Sequence, residues 1–236
     1  MSTNPHDVLI ERVAVPAAGY TLPMQLPPEP FGVFASWFNE ERAARRTPNP
    51  DAMTLATVDR SGMPSARIVL CRRVDPAAGT LMFFTNYTSP KSEDLAATGV
   101  CAACFHWDQS ERQARITGRA VKAGEAESDA YFAQRPWESK LSAWASDQSR
   151  PIAGRTELLA KLTGAAARLG LDAAELLARG QSLHIPRPPH WGGWTITATR
   201  VELWIGGKGR LHDRAAWVRE LGPEAPGPWS ASRLQP

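Results

Sequence analysis

Near the C-terminus, Arg210-Leu211-His212-Asp213-Arg214 follows the glycine-rich stretch Gly206-Gly207-Lys208-Gly209. As an extended strand, this pentapeptide turns Arg210, His212 and Arg214 to one side and Leu211 and Asp213 to the other, with about 7 Å between successive cations. Two guanidiniums and an imidazole along one edge suit an anion, although a strand edge facing water explains them equally. Tyr131, Arg135 and Ser139 repeat the theme at intervals of four, and share one helix face if the helix survives Pro136. Gln148 and Ser149 follow them among small residues and Trp144. Hydroxyls around a guanidinium fit a phosphate monoester, but they also describe an exposed polar face.

Two further clusters sit where strands end. In Phe83-Phe84-Thr85-Asn86-Tyr87-Thr88-Ser89-Pro90-Lys91 a strand gives way to hydroxyls, a helix start and a lysine. Free N–H groups and the helix dipole make such a place receptive to phosphate, and an ordinary capped helix has the same appearance. Arg67-Ile68-Val69-Leu70-Cys71-Arg72 carries a guanidinium at each end. Simple alternation puts Arg67 and Arg72 on opposite faces, which also reads as two solvated strand ends. Trp191-Gly192-Gly193 and Trp204-Ile205-Gly206-Gly207 add aromatic, glycine-adjacent positions. Together the clusters suit a planar ligand that also carries phosphate. Cys101-Ala102-Ala103-Cys104 has redox or metal spacing, but no second cysteine pair or nearby histidine pair completes a zinc site. The cysteines read as buried thiols in a strand core, and no metal is expected.

The elements that must position these groups alternate between two periods. Residues 1–28 are proline-rich and read as an irregular arm over a surface or a partner, with one domain spanning 29–236. From Glu29 to Arg46 the apolar residues Phe31, Phe34, Trp37 and Phe38 recur at helical spacing. Strands follow at 53–58, 66–71, 81–86, 100–107 and 111–123, with turn signals at Asp59-Arg60-Ser61-Gly62 and at 75–79. Gln113, Arg115, Thr117 and Arg119 alternate cleanly with Ala114, Ile116, Gly118 and Ala120. A short helix covers 89–97 with Ser89 as N-cap and Pro90 at its first position. Helices then fill 124–135, which ends at Pro136 and is continued by 138–146, and 156–170 and 172–180, and strands resume at 194–207, 213–220 and in the terminal Trp229–Leu234. This order predicts an α+β fold in which an antiparallel meander closes into a small barrel and is completed late in the chain.

Bulk composition fits a globular protein: 236 residues, 43% hydrophobic and 22% charged. A net charge of +3, from 27 basic and 24 acidic side chains, gives no argument for nucleic acid. No apolar run approaches the roughly 20 residues of a membrane span, and the first twenty residues show no secretory pattern, so the cytoplasm is the expected compartment.

The motifs in this order resemble the pyridoxamine/pyridoxine 5′-phosphate oxidase family, flavoproteins built on an FMN-binding split β-barrel. The resemblance runs from about Pro50 to Pro236. It rests on AMTLATVD (52–59), RIVLCR, FFTN-Y-x-S-x-K, ERQARITGRA, YFAQRPxxS, AWASDQS, the WGG after His190, ELWIGG and RLHDR. It implies that Arg67, Ile68, Val69, Leu70, Cys71 and Arg72 line FMN, together with Phe84, Thr85, Lys91, Gln113, Gln148, Ser149, Trp204 and Arg214. In that assignment Lys91 holds the FMN phosphate, Gln113 meets the isoalloxazine ring, and Gln148 and Ser149 reach FMN across a homodimer interface. The substrate phosphate is clamped by Tyr131, Arg135 and Ser139, with Arg72 nearby. Arg210, Leu211 and His212 bind the pyridine ring over the flavin, Arg210 and His212 being the catalytic pair. Because arginine stays protonated, Arg210 is expected to orient the substrate rather than act as base.

The implied reaction oxidises pyridoxamine or pyridoxine 5′-phosphate to pyridoxal 5′-phosphate. Hydride leaves C4′ for flavin N5, dioxygen takes the electrons, hydrogen peroxide is released, and the imine from the amine substrate hydrolyses. Expected partners are thus a B6 vitamer phosphate, dioxygen and a second copy of the chain, with neither nucleic acid nor membrane. Other implied readings are a phenazine-pathway oxidase of the same fold acting on a tricyclic dihydro substrate, and a non-catalytic flavin carrier. Three positions depart from the family pattern. Pro90 stands where an arginine is usual, which at about 1.5–3 kcal/mol for a charge-assisted hydrogen bond lowers FMN affinity by about tenfold or more unless another group substitutes. Arg72 replaces the commoner lysine, and the arm lacks the family's arginine and tyrosine pattern.

Overall fold

The computed structural model describes Asn4, residues 20–223 and residues 225–236; the arm predicted for residues 1–28 lies outside the described residues except at Asn4 and from Tyr20 onward. Among the described residues one antiparallel sheet of nine strands runs in the order β2-β1-β5-β6-β7-β4-β3, with β8 and β9 added beside β7. Its strands are β1 (Ala52–Val58), β2 (Pro64–Leu70), β3 (Arg73–Asp75), β4 (Thr80–Asn86), β5 (Val100–Trp107), β6 (Arg112–Lys122), β7 (Trp191–Ile205), β8 (Asp213–Val218) and β9 (Ser230–Leu234). Alternation decides which face is core. Met53 and Leu55 of β1, Ala103 and Phe105 of β5, and Ala114 and Ile116 of β6 are all buried. Helix α1 (Phe31–Ala44) closes one end, laying Phe31, Phe34, Trp37 and Phe38 on that core, with the Phe34 and Phe105 rings 5.2 Å apart.

β7 is the long member. β6 accompanies nearly its whole length, β4 pairs with Trp191–Thr197, and β8 pairs with Arg200–Ile205. A register shift between Thr117 and Gly118 bends the β6–β7 ladder. Glycine is needed there because a Cβ at 118 would overlap the carbonyl of Thr197.

Helix α2 (Pro90–Thr98) begins after Ser89, with Pro90 at its first position as predicted. Ser89 caps only in backbone conformation, since its hydroxyl donates back to Asn86 O (2.7 Å) instead. Helices α3 (Glu125–Ala133) and α4 (Trp137–Ala145) are two elements, not one. Pro136 has no N–H to give and ends the run, so Arg135 lies in the link and does not share a helix face with Ser139. α4 packs with α5 (Arg155–Arg168) and α6 (Ala173–Arg179) around Leu141, Ala165, Leu176 and Ile185.

The strand predicted for 210–214 begins only at Asp213. Arg210 ends a 3-10 turn with φ 65°, and Leu211 N donates to Lys208 O (3.2 Å). Gly207 N donates to His212 Nδ1 (3.2 Å), and the Gly207 Cα lies too close to Leu211 O to carry a side chain. The glycines close a tight loop in place of an extended edge. Before α1, the described end of the arm crosses β8: Leu22 N donates to Asp213 Oδ2 (2.7 Å) and Trp217 Nε1 to Pro27 O (2.8 Å). Among the described residues no helix is long and apolar enough to cross a membrane.

Candidate active site

A cavity of about 290 Å³ opens where the end of β2 meets the end of β4. In the sheet order four strands lie between those two, so their meeting reflects closure into a barrel. β2 and the residues after it supply Ile68, Val69, Leu70 and Arg72; β4 supplies Phe84 and Thr85, and β7 opens with Trp191. The helices and their links add Lys91, Tyr131, Arg135 and Gln148. Ten of the residues assigned from sequence therefore converge, with Trp191 as an addition.

Lys91 is buried at the start of α2, and its ammonium donates to Thr85 Oγ1 (3.0 Å), Ser89 Oγ (3.0 Å) and Gln148 Oε1 (2.6 Å). Burial, reinforced by the nearby charge of Arg67, pushes its pKa down to about 8. The loop carrying Gln148 is held by Asn86, whose Nδ2 donates to Ser146 O (3.1 Å). Gln148, which the resemblance supplies across an interface, thus sits against Lys91 of its own chain. Ser149 beside it is exposed, with φ 68°, and does not line the cavity.

The opposite wall is aromatic. Phe84 and Tyr131 stack at 3.9 Å and 6°, and Trp191 lies nearly parallel to both. The guanidinium of Arg135 sits over the Trp191 ring, 4.6 Å from its centroid. Its Nη1 is buried without a hydrogen-bond partner, and burial together with the neighbouring Arg72 charge lowers its pKa. An orphaned guanidinium donor in a cavity asks for an anion. Arg72 is held by Asp51, Nη1 to Oδ2 at 2.7 Å. Two separated cationic positions beside a flat aromatic wall fit phosphate-bearing planar groups, FMN included.

The other assigned residues lie elsewhere. Arg67 flanks Lys91 but bonds to Thr57 Oγ1 (2.8 Å), Leu55 O (3.1 Å) and Ser65 Oγ (2.9 Å). Cys71 faces the core, where burial pushes its thiol up to about 12. Ser139 on α4 is half-buried and outside the lining. Gln113, Trp204 and Arg214 face one another across β6, β7 and β8, and the His212 ring lies 4.6 Å from that of Trp204. Arg214 donates to Glu202 Oε1 (2.7 Å) while its Nε is buried without a partner. Burial alone would raise the Glu202 carboxyl, but the Arg214 hydrogen bond and the charges of Arg115 and Arg214 hold it below the usual range. Arg210 and Leu211 are exposed on the adjoining turn.

No residue of this second cluster lines the cavity. Trp204 stands thirteen residues beyond Trp191 on β7, roughly 40 Å at the usual strand rise. Cys101 and Cys104, three apart on β5, point to opposite faces and are free thiols, with Cys101 raised to about 12 by burial. Sequence reasoning missed Asp51 and Asn86, whose roles depend on partners 21 and 60 residues away that no local spacing announces.

Residues 40–168 match the family described as pyridoxamine 5′-phosphate oxidase, and residues 191–236 match its C-terminal dimerisation region. The pyridoxine/pyridoxamine 5′-phosphate oxidases of Burkholderia multivorans and Cupriavidus necator are each 46% identical to the chain over 209 residues, covering 89% of it and 90% of themselves. Among solved structures, PhzG from Burkholderia lata 383, in complex with tetrahydrophenazine-1-carboxylic acid, superposes with a TM-score of 0.74 at 30% identity, covering 89% of this chain and 94% of that one. An FMN-binding protein from Nostoc punctiforme shares the fold at 16% identity, with a TM-score of 0.63 and coverage of 90% and 100%. Both family regions, the shared fold and the level of identity agree: the chain belongs to the pyridoxamine 5′-phosphate oxidase family.

Proposed function

We propose that this chain is an FMN-dependent pyridoxine/pyridoxamine 5′-phosphate oxidase that works as a homodimer. The observation that carries the reading is the pair of cations in the aromatic cavity, Lys91 among hydroxyls and Arg135 with an orphaned Nη1. In this reading Lys91, Thr85 and Gln148 hold the phosphate of FMN, and Arg135 with Tyr131 holds that of the substrate. Phe84, Tyr131 and Trp191 form a flat, water-excluding wall. FMN, when bound, supplies the hydride acceptor and passes the electrons to dioxygen.

A cavity of about 290 Å³ is small for a cofactor and a substrate together. Of the remaining assigned groups, Trp204, Arg210, His212 and Arg214 fall in the region matched to dimerisation, and Gln113 of β6 pairs with Trp204. Two copies packed with two-fold symmetry bring one chain's cavity to the other's β6–β8 cluster. Arg210 and His212 then orient the pyridine ring from the second copy. Residues 29–236 act as one unit in this reading, because the sheet draws strands from both matched regions.

The test is to saturate the protein with FMN, add pyridoxine 5′-phosphate under oxygen, and follow pyridoxal 5′-phosphate and hydrogen peroxide together. Equal formation of both supports the proposal. The likeness to PhzG favours a second reading, in which only a tricyclic dihydro substrate turns over. Bound flavin reduced by neither substrate defeats both readings.

A further inference from the structure

A second cavity, of about 560 Å³, lies between α3, α4 and the segment 181–187. Lys140 of α4 lines it and is only 5% exposed. Its ammonium pairs with no described residue and keeps some exposure at the cavity. An unpaired ammonium at the wall of a cavity attracts an anion.

Arg187 stands on the same cavity. Its Nε donates to Asp129 Oδ1 (2.6 Å) and its Nη1 to Trp191 O (2.7 Å), while Nη2 bonds to no described residue. Lys140 and Arg187 against Asp129 leave one net positive charge, and His184 adds an uncommitted imidazole at the rim. Phe132 supplies a buried aromatic wall. That ring packs edge-on against Trp191, with centroids 5.1 Å apart and planes at 67°. Trp191 lines the first cavity, so the Phe132–Trp191 pair stands between the two.

We propose that this cavity is a separate site for a small molecule with an oxyanion group, phosphate or carboxylate. Lys140 and Arg187 take the charge and Phe132 takes the apolar body. The inference does not depend on which substrate the enzyme oxidises.

The experiment is equilibrium dialysis of the FMN-loaded full chain against labelled inorganic phosphate. Wild type should bind one equivalent per chain that survives Arg135→Met. Lys140→Met should weaken that equivalent at least tenfold, and Lys140→Arg should keep it. Lys140→Gln serves as a second neutral variant should Met prevent folding, with the flavin absorbance reporting the fold. Displacement of the phosphate by benzoate assigns a carboxylate attached to a ring, and retention of phosphate against benzoate assigns a phosphate ester. Equal phosphate binding by wild type and the folded neutral variant overturns the proposal.

Discussion

Lys91 is charged when the pH is below about 8, because burial and Arg67 lower its pKa. Only the charged form attracts a phosphate, so FMN affinity of the apoprotein should fall as pH rises through about 8, as read by flavin fluorescence titration. Lys91→Arg should abolish that dependence, since arginine keeps its proton. Linkage fixes the sign for stability as well. The unfolded chain holds this proton up to the ordinary lysine value while the folded apoprotein releases it earlier, so between those limits the unfolded state binds more protons and stability rises with pH. Urea unfolding of the apoprotein at the two ends of that window reads the effect. Arg135 makes a different prediction. Arg135→Met removes a charge-assisted contact of about 1.5–3 kcal/mol, so KM for pyridoxine 5′-phosphate should rise about 10- to 150-fold. Its content of bound flavin should hold, and steady-state kinetics with a flavin absorbance scan separate the two.

At the scale of elements, Gly118 is the position where side-chain size meets topology. The bulge places its Cα against Thr197 O, so Gly118→Val must force β6 away from β7. A cost of about 1–3 kcal/mol or more is expected from overpacking alone, and the shift in urea midpoint at constant slope measures it. The same strand shows what was legible. The alternation in 113–120 gave the buried and open faces correctly, because that periodicity is local. The bulge was not visible, because it answers to a carbonyl 79 residues away. Likewise β5 was read to its ends from residue types, whereas Arg210–His212 was read as strand and forms a turn. Its two glycines and the Gly207 N to His212 Nδ1 bond override the alternation. The cations of the site stood out in the sequence, but their grouping into two distant clusters did not. That grouping depends on barrel closure and on the length of β7.

For the whole molecule, the separation of the clusters leads to a mixing experiment. Arg135→Met and Arg210→Met strike opposite halves of the proposed composite site, and each variant alone should turn over slowly. A mixed dimer carries both lesions in one site and none in the other. Refolding equal amounts together should therefore restore up to about a quarter of wild-type activity, since half the dimers are mixed and each has one intact site of two. No gain on mixing would show that a single chain holds the complete site.

In the proposed dimer, a strand of fifteen residues, anchored at one end to β4 and at the other to β8, also sets the order of maturation. In the proposed composite site a solitary newly made copy presents only part of a cradle, so encounter between copies should precede firm retention of the yellow coenzyme. Dilution should then slow the take-up of flavin from solution, with a rate that climbs as protein concentration climbs.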